Sequence, residues 1–155
     1  MRGNTVLAKL LKIEGTKYLF CYPANTLIEA AAIEGIEPIM SRTERTTVNM
    51  ADGYSRVTNG HSIGVVVTQS GPGIENAFGG VAQAYAESTP ILVLPGGTAR
   101  NRIGQSPDFD AIAAYRLVTK WAAQINQTSR MPEMMRRAFT FLRSGRLGPV
   151  MLQVP

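Results

Sequence analysis

The sequence has little cysteine and no long apolar run. Cys21 is the only cysteine among 155 residues, which excludes an internal disulfide and favours a reducing location. No apolar stretch approaches the roughly 18 to 20 residues that a membrane-spanning helix needs. Residues 1–5 lead straight into an amphipathic pattern and lack the apolar core of a signal peptide. We therefore expect a cytoplasmic protein that does not enter a membrane.

Basic residues outnumber acidic ones, 16 to 11, for a formal net charge of +5. Such an excess raises the possibility of nucleic-acid binding. The basic residues form no continuous stripe, however, and only residues 130–146 are locally dense. On a helix this density is typical of a solvated face, so we expect no nucleic-acid partner. The alternative is that the basic face meets another domain or an anionic ligand.

Short apolar strands alternate with helices along the whole chain. The pattern predicts strands at residues 18–22, 37–40, 63–68, 91–94, 121–125 and 150–154. It predicts helices around residues 6–11 and at 26–35, 44–58, 74–87, 110–117 and 132–144, the second beginning with a capping-box pattern at Thr26–Glu29. No internal repeat or domain boundary interrupts this order. We expect one α/β domain with a parallel sheet of about six strands and helices on both faces.

Three loops that follow predicted strands carry the most distinctive residues. They are residues 22–25, 41–44 and 69–73. The unbroken β-branched run at 63–68 favours a strand that is buried on both faces, as in a parallel sheet. In such sheets a ligand binds beyond the carboxyl ends of the strands. The three loops are therefore the predicted site.

Four segments, in order, resemble the acetolactate-synthase family of thiamine-diphosphate enzymes. Arg42-Thr43-Glu44 with residues 49–56 (NMADGYSR) resembles the family's RHE…HMADGYAR, and residues 68–76 (TQSGPGIEN) resemble TSGPG-x-x-N. Residues 84–90 (AYAESTP) resemble AYMDSIP, and residues 144–150 (SGRLGPV) resemble SGRPGPV. The four segments span almost the whole chain, and a generic GxGxxG nucleotide-binding loop is absent.

The resemblance implies a domain, residues 1–155, that binds the aminopyrimidine ring of thiamine diphosphate. Family members add a central domain and a diphosphate-binding domain, whose GDG…N motif ligates Mg²⁺, and this chain has no GDG. The expected partners are a diphosphate-binding domain of the same or another chain, in a homodimer or tetramer, and a small 2-oxo-acid substrate. FAD is expected only in a full-length enzyme. We expect the chain to be a fragment or truncated gene, inactive without the missing domains.

Glu44 stands where the family has its catalytic glutamate. A carboxyl group that bonds the N1′ nitrogen of the pyrimidine favours the imino form of the 4′-amino group, which can take the proton from C2. From its position alone, Glu44 could instead simply cap the helix, because a negative charge is favoured electrostatically at a helix N-terminus. With the surrounding motifs, the resemblance implies catalysis.

Other matched positions give the remaining site predictions. The predicted cofactor-binding residues are Glu44 and, in the loops, Pro23, Ala24, Asn25, Ser70, Gly71, Pro72, Gly73 and Asn76. Gln69 and Gln83 are candidates for substrate contact. The alternative for residues 70–73 is an ordinary strand–helix turn, and Asn76 could cap the helix instead. Met50 and Tyr54 lie four residues apart and are expected to pack rather than to touch ligand.

The sequence departs from the family at positions that bear on substrate. Ala24-Asn25 replaces the usual Gly-Gly after Pro23, Gly97 replaces a glutamine, and residues 104–110 do not reproduce a Phe-Gln pair. Family relatives include glyoxylate carboligases and oxalyl-CoA decarboxylases, so the substrate stays open. The only histidine, His61, is expected to be exposed. No histidine stands at the loops where simple decarboxylases of the superfamily use one, which disfavours that kind of enzyme. The sequence also leaves open a non-catalytic module and a generic nucleotide-binding domain.

Overall fold

The computed structural model describes residues 2–23, 25–102, 104–105 and 109–154. Helices and strands alternate along this part of the chain. In order they are α1 Gly3–Ile13, β1 Tyr18–Cys21, α2 Leu27–Ile33, β2 Glu37–Met40, α3 Glu44–Val57, β3 Gly64–Thr68, α4 Pro72–Ala86, β4 Ile91–Pro95, α5 Ala111–Tyr115, β5 Trp121–Gln124, α6 Met131–Arg143 and β6 Val150–Gln153. Short 3-10 turns occupy Arg100–Arg102 and Thr128–Arg130.

The strands form one parallel sheet in the order β2-β1-β3-β4-β6-β5. This confirms the predicted α/β fold with six parallel strands. From β1 the chain moves outward to β2 and then returns across β1 to β3. The direction of winding therefore reverses between β1 and β3, and a crevice opens at the carboxyl ends of these two strands.

The helices lie in two layers, one on each face of the sheet. Side chains of α1, α2 and α6 share one apolar core, and those of α3, α4 and α5 share the other. Alternate residues of β1 serve the two cores, with Leu19 and Cys21 in the first and Phe20 in the second. Every residue of β3 is buried, as its β-branched run predicts. Burial also raises the pKa of the Cys21 thiol to about 11.

Three local predictions are corrected by the structure. Thr26 makes no side-chain cap on α2, because its backbone (φ −67°, ψ −13°) is helical rather than extended, and its hydroxyl accepts a hydrogen bond from Asn4 Nδ2 at 2.6 Å. The cap comes from Asn25, whose Oδ1 accepts from the backbone N–H of Leu27 at 2.9 Å. Helix α4 begins at Pro72 rather than near residue 74, since proline is well suited to the first helical turn. Helix α5 is shorter than predicted and is capped by Asp110, which accepts from the N–H of Ala113.

The dense basic segment makes several contacts within the chain. Arg130 pairs with Glu133 at 3.0 Å, and Arg143 pairs with Glu14 at 2.6 Å. Arg137 lies 4.7 Å above the Trp121 ring. These arginines are exposed, so the expected solvated face is present, and they also make surface contacts with their neighbours. None of the helices in the described ranges is long and apolar enough to cross a membrane.

Ser55 ties α3 to the sheet. Its buried hydroxyl donates to the carbonyl of Pro90 at 2.7 Å and accepts from the N–H of Gly64 at 2.8 Å. The change Ser55→Ala would leave both backbone groups buried without a partner. We expect it to lower the free energy of unfolding by about 2 kcal/mol or more. Urea denaturation measures this loss.

The matched control is Ser144→Ala, because Ser144 is exposed and its hydroxyl donates to Thr140 O within one helical turn. We expect that variant to stay within about 0.5 kcal/mol of the wild type. Equal stability of the two variants would show that the Ser55 bridge contributes nothing specific.

Candidate functional site at the carboxyl edge of the sheet

The loop between β2 and α3 presents Glu44 as the first residue of α3. Thr43 caps the helix, and its side chain accepts a hydrogen bond from the N–H of Thr46 at 3.2 Å. Ser41 Oγ donates to the carbonyl of Thr43 at 2.7 Å and lies 2.5 Å from Thr47 Oγ1. Because Thr43 supplies the cap, capping does not account for the direction of the Glu44 side chain. A dense set of local hydrogen bonds fixes the backbone that carries it.

The Glu44 carboxyl group is directed at the first turn of α4. The residue is only 9% exposed, and its Oε2 accepts a hydrogen bond from Asn76 Nδ2 at 3.1 Å. Its Oε1 lies 3.1 Å from the place where a Cβ on Gly73 would stand. The absence of a side chain at Gly73 therefore leaves room beside this oxygen. The structure brings together Glu44, Gly73 and Asn76, which the sequence motifs singled out separately.

Close packing of α3 against α4 sets this arrangement. A Cβ on Gly80 would lie 2.9 Å from Val48 Cγ1, so only glycine allows the helices to approach this closely. The Tyr115 hydroxyl donates to the carbonyl of Ile74 at 2.6 Å and anchors the first turn of α4 to α5. Burial raises the pKa of this phenol, which keeps it in the donating form. The partners of Glu44 thus lie on a braced helix.

The loop after β1 is joined to the end of β3. Asn25 Nδ2 donates to the carbonyl of Thr68 at 3.2 Å, while Asn25 Oδ1 caps α2. Thr26 is held in turn by Asn4 of α1. Pro23 is exposed, and Ala24 lies outside the described residues. Both ends of the Asn25 amide therefore make hydrogen bonds within the chain. The predicted contact of Asn25 with the cofactor stays a prediction.

The loop after β3 lines a small polar cavity of about 240 Å³. Gln69, Ser70, Gly96 and Gly97 form one side of it. The full lining is Asn4, Asn25, Thr26, Gln69, Ser70, Gly96, Gly97 and Val154. Glu44 is not part of this lining, although Gln69 Cβ would be 2.8 Å from a Cβ on Gly73. The cavity and the carboxyl group therefore flank the same loop.

The turn into α4 depends on Gly71. This residue has φ +62° and ψ −119° and precedes Pro72, which is exposed at the start of the helix. Such a backbone conformation strains any residue with a side chain. Gly71 and Pro72 thus direct the chain from β3 into α4. The structure shows that the predicted turn is confined to the residues before Pro72.

Another cavity, of about 730 Å³, lies elsewhere along the same edge. It is bordered by Arg2 and Gly3 of the N-terminus and by residues 125–128, and it contains no predicted site residue. Gln83 is also distant from Glu44. It is exposed ten residues after Gly73 on α4, which corresponds to about 15 Å along the helix axis. Its predicted substrate contact stays a prediction.

Two polar residues near these loops are absent from the sequence prediction. The Thr68 hydroxyl is fully buried and, within the described part of the chain, has no hydrogen-bond partner. Asn4 reaches the β1–α2 loop from another helix. Thr68 could have been singled out from the sequence, because it is a polar residue at the end of the apolar run of β3. No local pattern indicates the role of Asn4.

Other sequence predictions concern packing. Met50 and Tyr54 pack against the second core, with the Tyr54 ring 5.4 Å from that of Tyr18, which confirms their structural role. His61 is exposed, as expected. Trp121 is half-buried and packs against Phe141 at a ring distance of 5.7 Å.

Comparison with known proteins agrees with this architecture. Residues 1–127 match the family described as "Thiamine pyrophosphate enzyme, N-terminal TPP binding domain". The chain belongs to this family. In this thiamine-pyrophosphate domain the nearly buried Glu44 carboxyl group has space beside one of its oxygens. The recognition made from the four sequence segments is confirmed.

The curated relatives of this thiamine-pyrophosphate domain include acetolactate synthases from bacteria, archaea and plants. It is 34% identical to the acetolactate synthase isozyme 3 large subunit of Escherichia coli K12 and 34% identical to the probable large subunit of Methanocaldococcus jannaschii. Acetolactate synthase 2, chloroplastic, of Nicotiana tabacum is 32% identical. These matches cover 100%, 100% and 99% of the chain but only 28%, 27% and 24% of the relatives. The chain therefore spans about a quarter of their length.

Proposed function

We propose that this chain is the pyrimidine-binding half of a thiamine-diphosphate-dependent enzyme. The enzyme would decarboxylate a 2-oxo acid and transfer what remains to a carbonyl acceptor. The observation that carries the proposal is the Glu44 carboxyl group, 9% exposed, with one oxygen bonded to Asn76 and the other beside Gly73. The names of the relatives support a reaction of the acetolactate-synthase kind.

Each part of the site has a distinct role in this proposal. Glu44 exchanges a proton with the ring nitrogen of the aminopyrimidine, and its low exposure strengthens that hydrogen bond. Gly73 leaves space for the ring, and Gly71 and Pro72 hold the loop that passes beside it. When bound, the cofactor supplies the electron sink for loss of CO₂. The small polar cavity beside Gln69 and Ser70 is the proposed place for substrate.

The rest of the enzyme is proposed to come from a diphosphate-binding domain of the same or another chain, in a homodimer or tetramer. Mg²⁺ is proposed to bind in that domain with the diphosphate of the cofactor, as the resemblance implies. FAD would bind only in the full-length enzyme. A small 2-oxo acid is the proposed substrate, and a cytoplasmic location is proposed from the single buried thiol.

Replacing Glu44 tests the catalytic role. Glu44→Gln keeps the size of the side chain but cannot exchange the proton. In the complemented enzyme, consisting of this chain with a diphosphate-binding half, we expect decarboxylation to fall by at least about 100-fold. The matched control is Glu75→Gln, an exposed glutamate of the same helix turn as Asn76. Activity that survives Glu44→Gln unchanged would indicate a non-catalytic module.

Ligand choice separates this proposal from a generic nucleotide-binding domain. The complemented enzyme is expected to bind thiamine diphosphate and not NAD, as measured by calorimetry. NAD binding without thiamine diphosphate binding would contradict the proposed function. Reading the coding DNA beyond Pro155 identifies whether the diphosphate-binding half continues in the same frame or must be supplied as a second chain.

A further inference from the structure

The two oxygens of Glu44 have different surroundings. Oε2 accepts the hydrogen bond from Asn76 Nδ2 at 3.1 Å, whereas Oε1 lies beside the space left by Gly73. We propose that Asn76 is a positioning residue, which holds Oε2 so that Oε1 is presented to the aminopyrimidine. This inference rests on the proposed function. It changes the predicted role of Asn76 from a cofactor contact to a group that acts through Glu44.

The chemistry of an amide suits this role. A carboxyl group that is 9% exposed needs a hydrogen-bond partner in place of water. The amide N–H of Asn76 can donate to Oε2 in both protonation states, because Oε2 remains an acceptor when the exchanged proton is on Oε1. Aspartate could not donate to a carboxylate, and alanine has no donor at all. Asparagine thus keeps Glu44 in one orientation while its proton is exchanged.

The helix fixes where the amide lies. Asn76 is three residues after Gly73 on α4, so the two share one face of the helix. The first turn of α4 is anchored by the hydrogen bond between Tyr115 and Ile74, and Gly80 allows the close approach to Val48. Asn76 itself is exposed and adds little to the core. Its contact with a nearly buried carboxyl group is therefore not explained by packing alone.

Two substitutions test the inference in the full 155-residue chain. Asn76→Ala removes the donor, and Asn76→Asp places an acceptor-only group against Oε2. Crystal structures or side-chain NMR would report the orientation of Glu44. NMR titration would measure the affinity for a free 4-aminopyrimidine that carries the substituents of the thiamine ring. Thermal unfolding verifies that each variant is folded, and Glu75→Gln is again the control.

In Asn76→Ala we expect Glu44 to populate more than one rotamer and the aminopyrimidine affinity to fall about tenfold, the loss typical of one charge-assisted hydrogen bond. In Asn76→Asp we expect a larger loss, because two carboxyl groups repel unless they share a proton. Glu75→Gln should leave both measurements unchanged.

The two readouts separate failure of this inference from failure of the proposed function. A wild-type chain that binds the aminopyrimidine, with an Asn76→Ala variant of equal affinity and unchanged Glu44 orientation, would overturn the positioning role alone. Absence of binding by the wild-type chain would count against the proposed function. In that case, if Glu44 populates several rotamers in Asn76→Ala, the hydrogen bond from Asn76 is still shown to fix the orientation of Glu44.

Discussion

Gly64→Ala is expected to remove most of the stability of the domain. A Cβ at this position would lie 2.3 Å from the carbonyl oxygen, 2.8 Å from the carbonyl carbon and 2.9 Å from the Cα of Ala51. All three atoms belong to the backbone of α3, so no side-chain rotation can relieve the overlap. The helix must move away from β3, which also separates Ser55 from Gly64 and Pro90. We expect a loss of several kcal/mol, against a typical total of about 5–15 kcal/mol.

Urea denaturation of Gly64→Ala and Gly53→Ala gives the measurement and its control. Gly53 lies two residues from Ala51 on α3, and a Cβ there would meet nothing within 4 Å. We expect Gly53→Ala to raise stability by up to about 1 kcal/mol, because alanine favours a helix over glycine. A Gly64→Ala variant as stable as the wild type would show that α3 does not approach β3 as closely as described.

The order and type of the main elements follow from local patterns. The unbroken β-branched run that ends at Thr68 predicted β3 to within one residue, and the bounds of β2 agree with those predicted. Apolar residues at helical spacing placed α1, and the helix predicted at 44–58 ends at Val57, just before Asn59 and Gly60, which both have positive φ. Each of these signals lies within a few consecutive residues, so the elements can be predicted from a single sequence.

Contacts between distant residues account for what the sequence did not predict. The capping box at Thr26 was wrong because Thr26 has helical backbone angles, and its hydroxyl instead bonds Asn4, 22 residues earlier. The Ala24-Asn25 departure was visible in the sequence, but the hydrogen bond from Asn25 to the end of β3 spans 43 residues and was not. Local propensity contains no information about such pairs. Only the packed sheet determines which polar groups meet.

The candidate site shows the same division between local and long-range information. Motif resemblance singled out Glu44 and Asn76, yet left Asn76 with two possible roles. Their separation of 32 residues is closed by the packing of α3 on α4, which depends on the absence of a side chain at Gly80. The direct bond between them gives Asn76 a third role, which neither motif nor propensity indicates. The geometry of the site therefore follows from helix packing, whereas its chemistry is readable from the residues.

Gly73→Ala is expected to close the space beside Glu44 while leaving the domain folded. The added Cβ would lie 3.1 Å from Glu44 Oε1 and 2.8 Å from Gln69 Cβ, so the loop and the carboxyl group must both shift. Gly73 lies in the first turn of α4 without a positive φ, and alanine suits a helix. The cost to folding should therefore stay near about 1–2 kcal/mol. Affinity for the aminopyrimidine should fall by at least about tenfold, because the methyl group occupies the side from which the ring approaches.

Gly79→Ala is the matched control, since it lies on the same helix and the nearest atoms to its Cβ would be those of the Arg45 guanidinium at 3.9 Å. We expect this variant to bind the aminopyrimidine as the wild type does. NMR titration of both variants compares them under one condition. If Gly73→Ala binds as tightly as Gly79→Ala, the ring does not approach Oε1 over Gly73, and the opening for the pyrimidine must be sought on the other side of the Gln69–Ser70 loop.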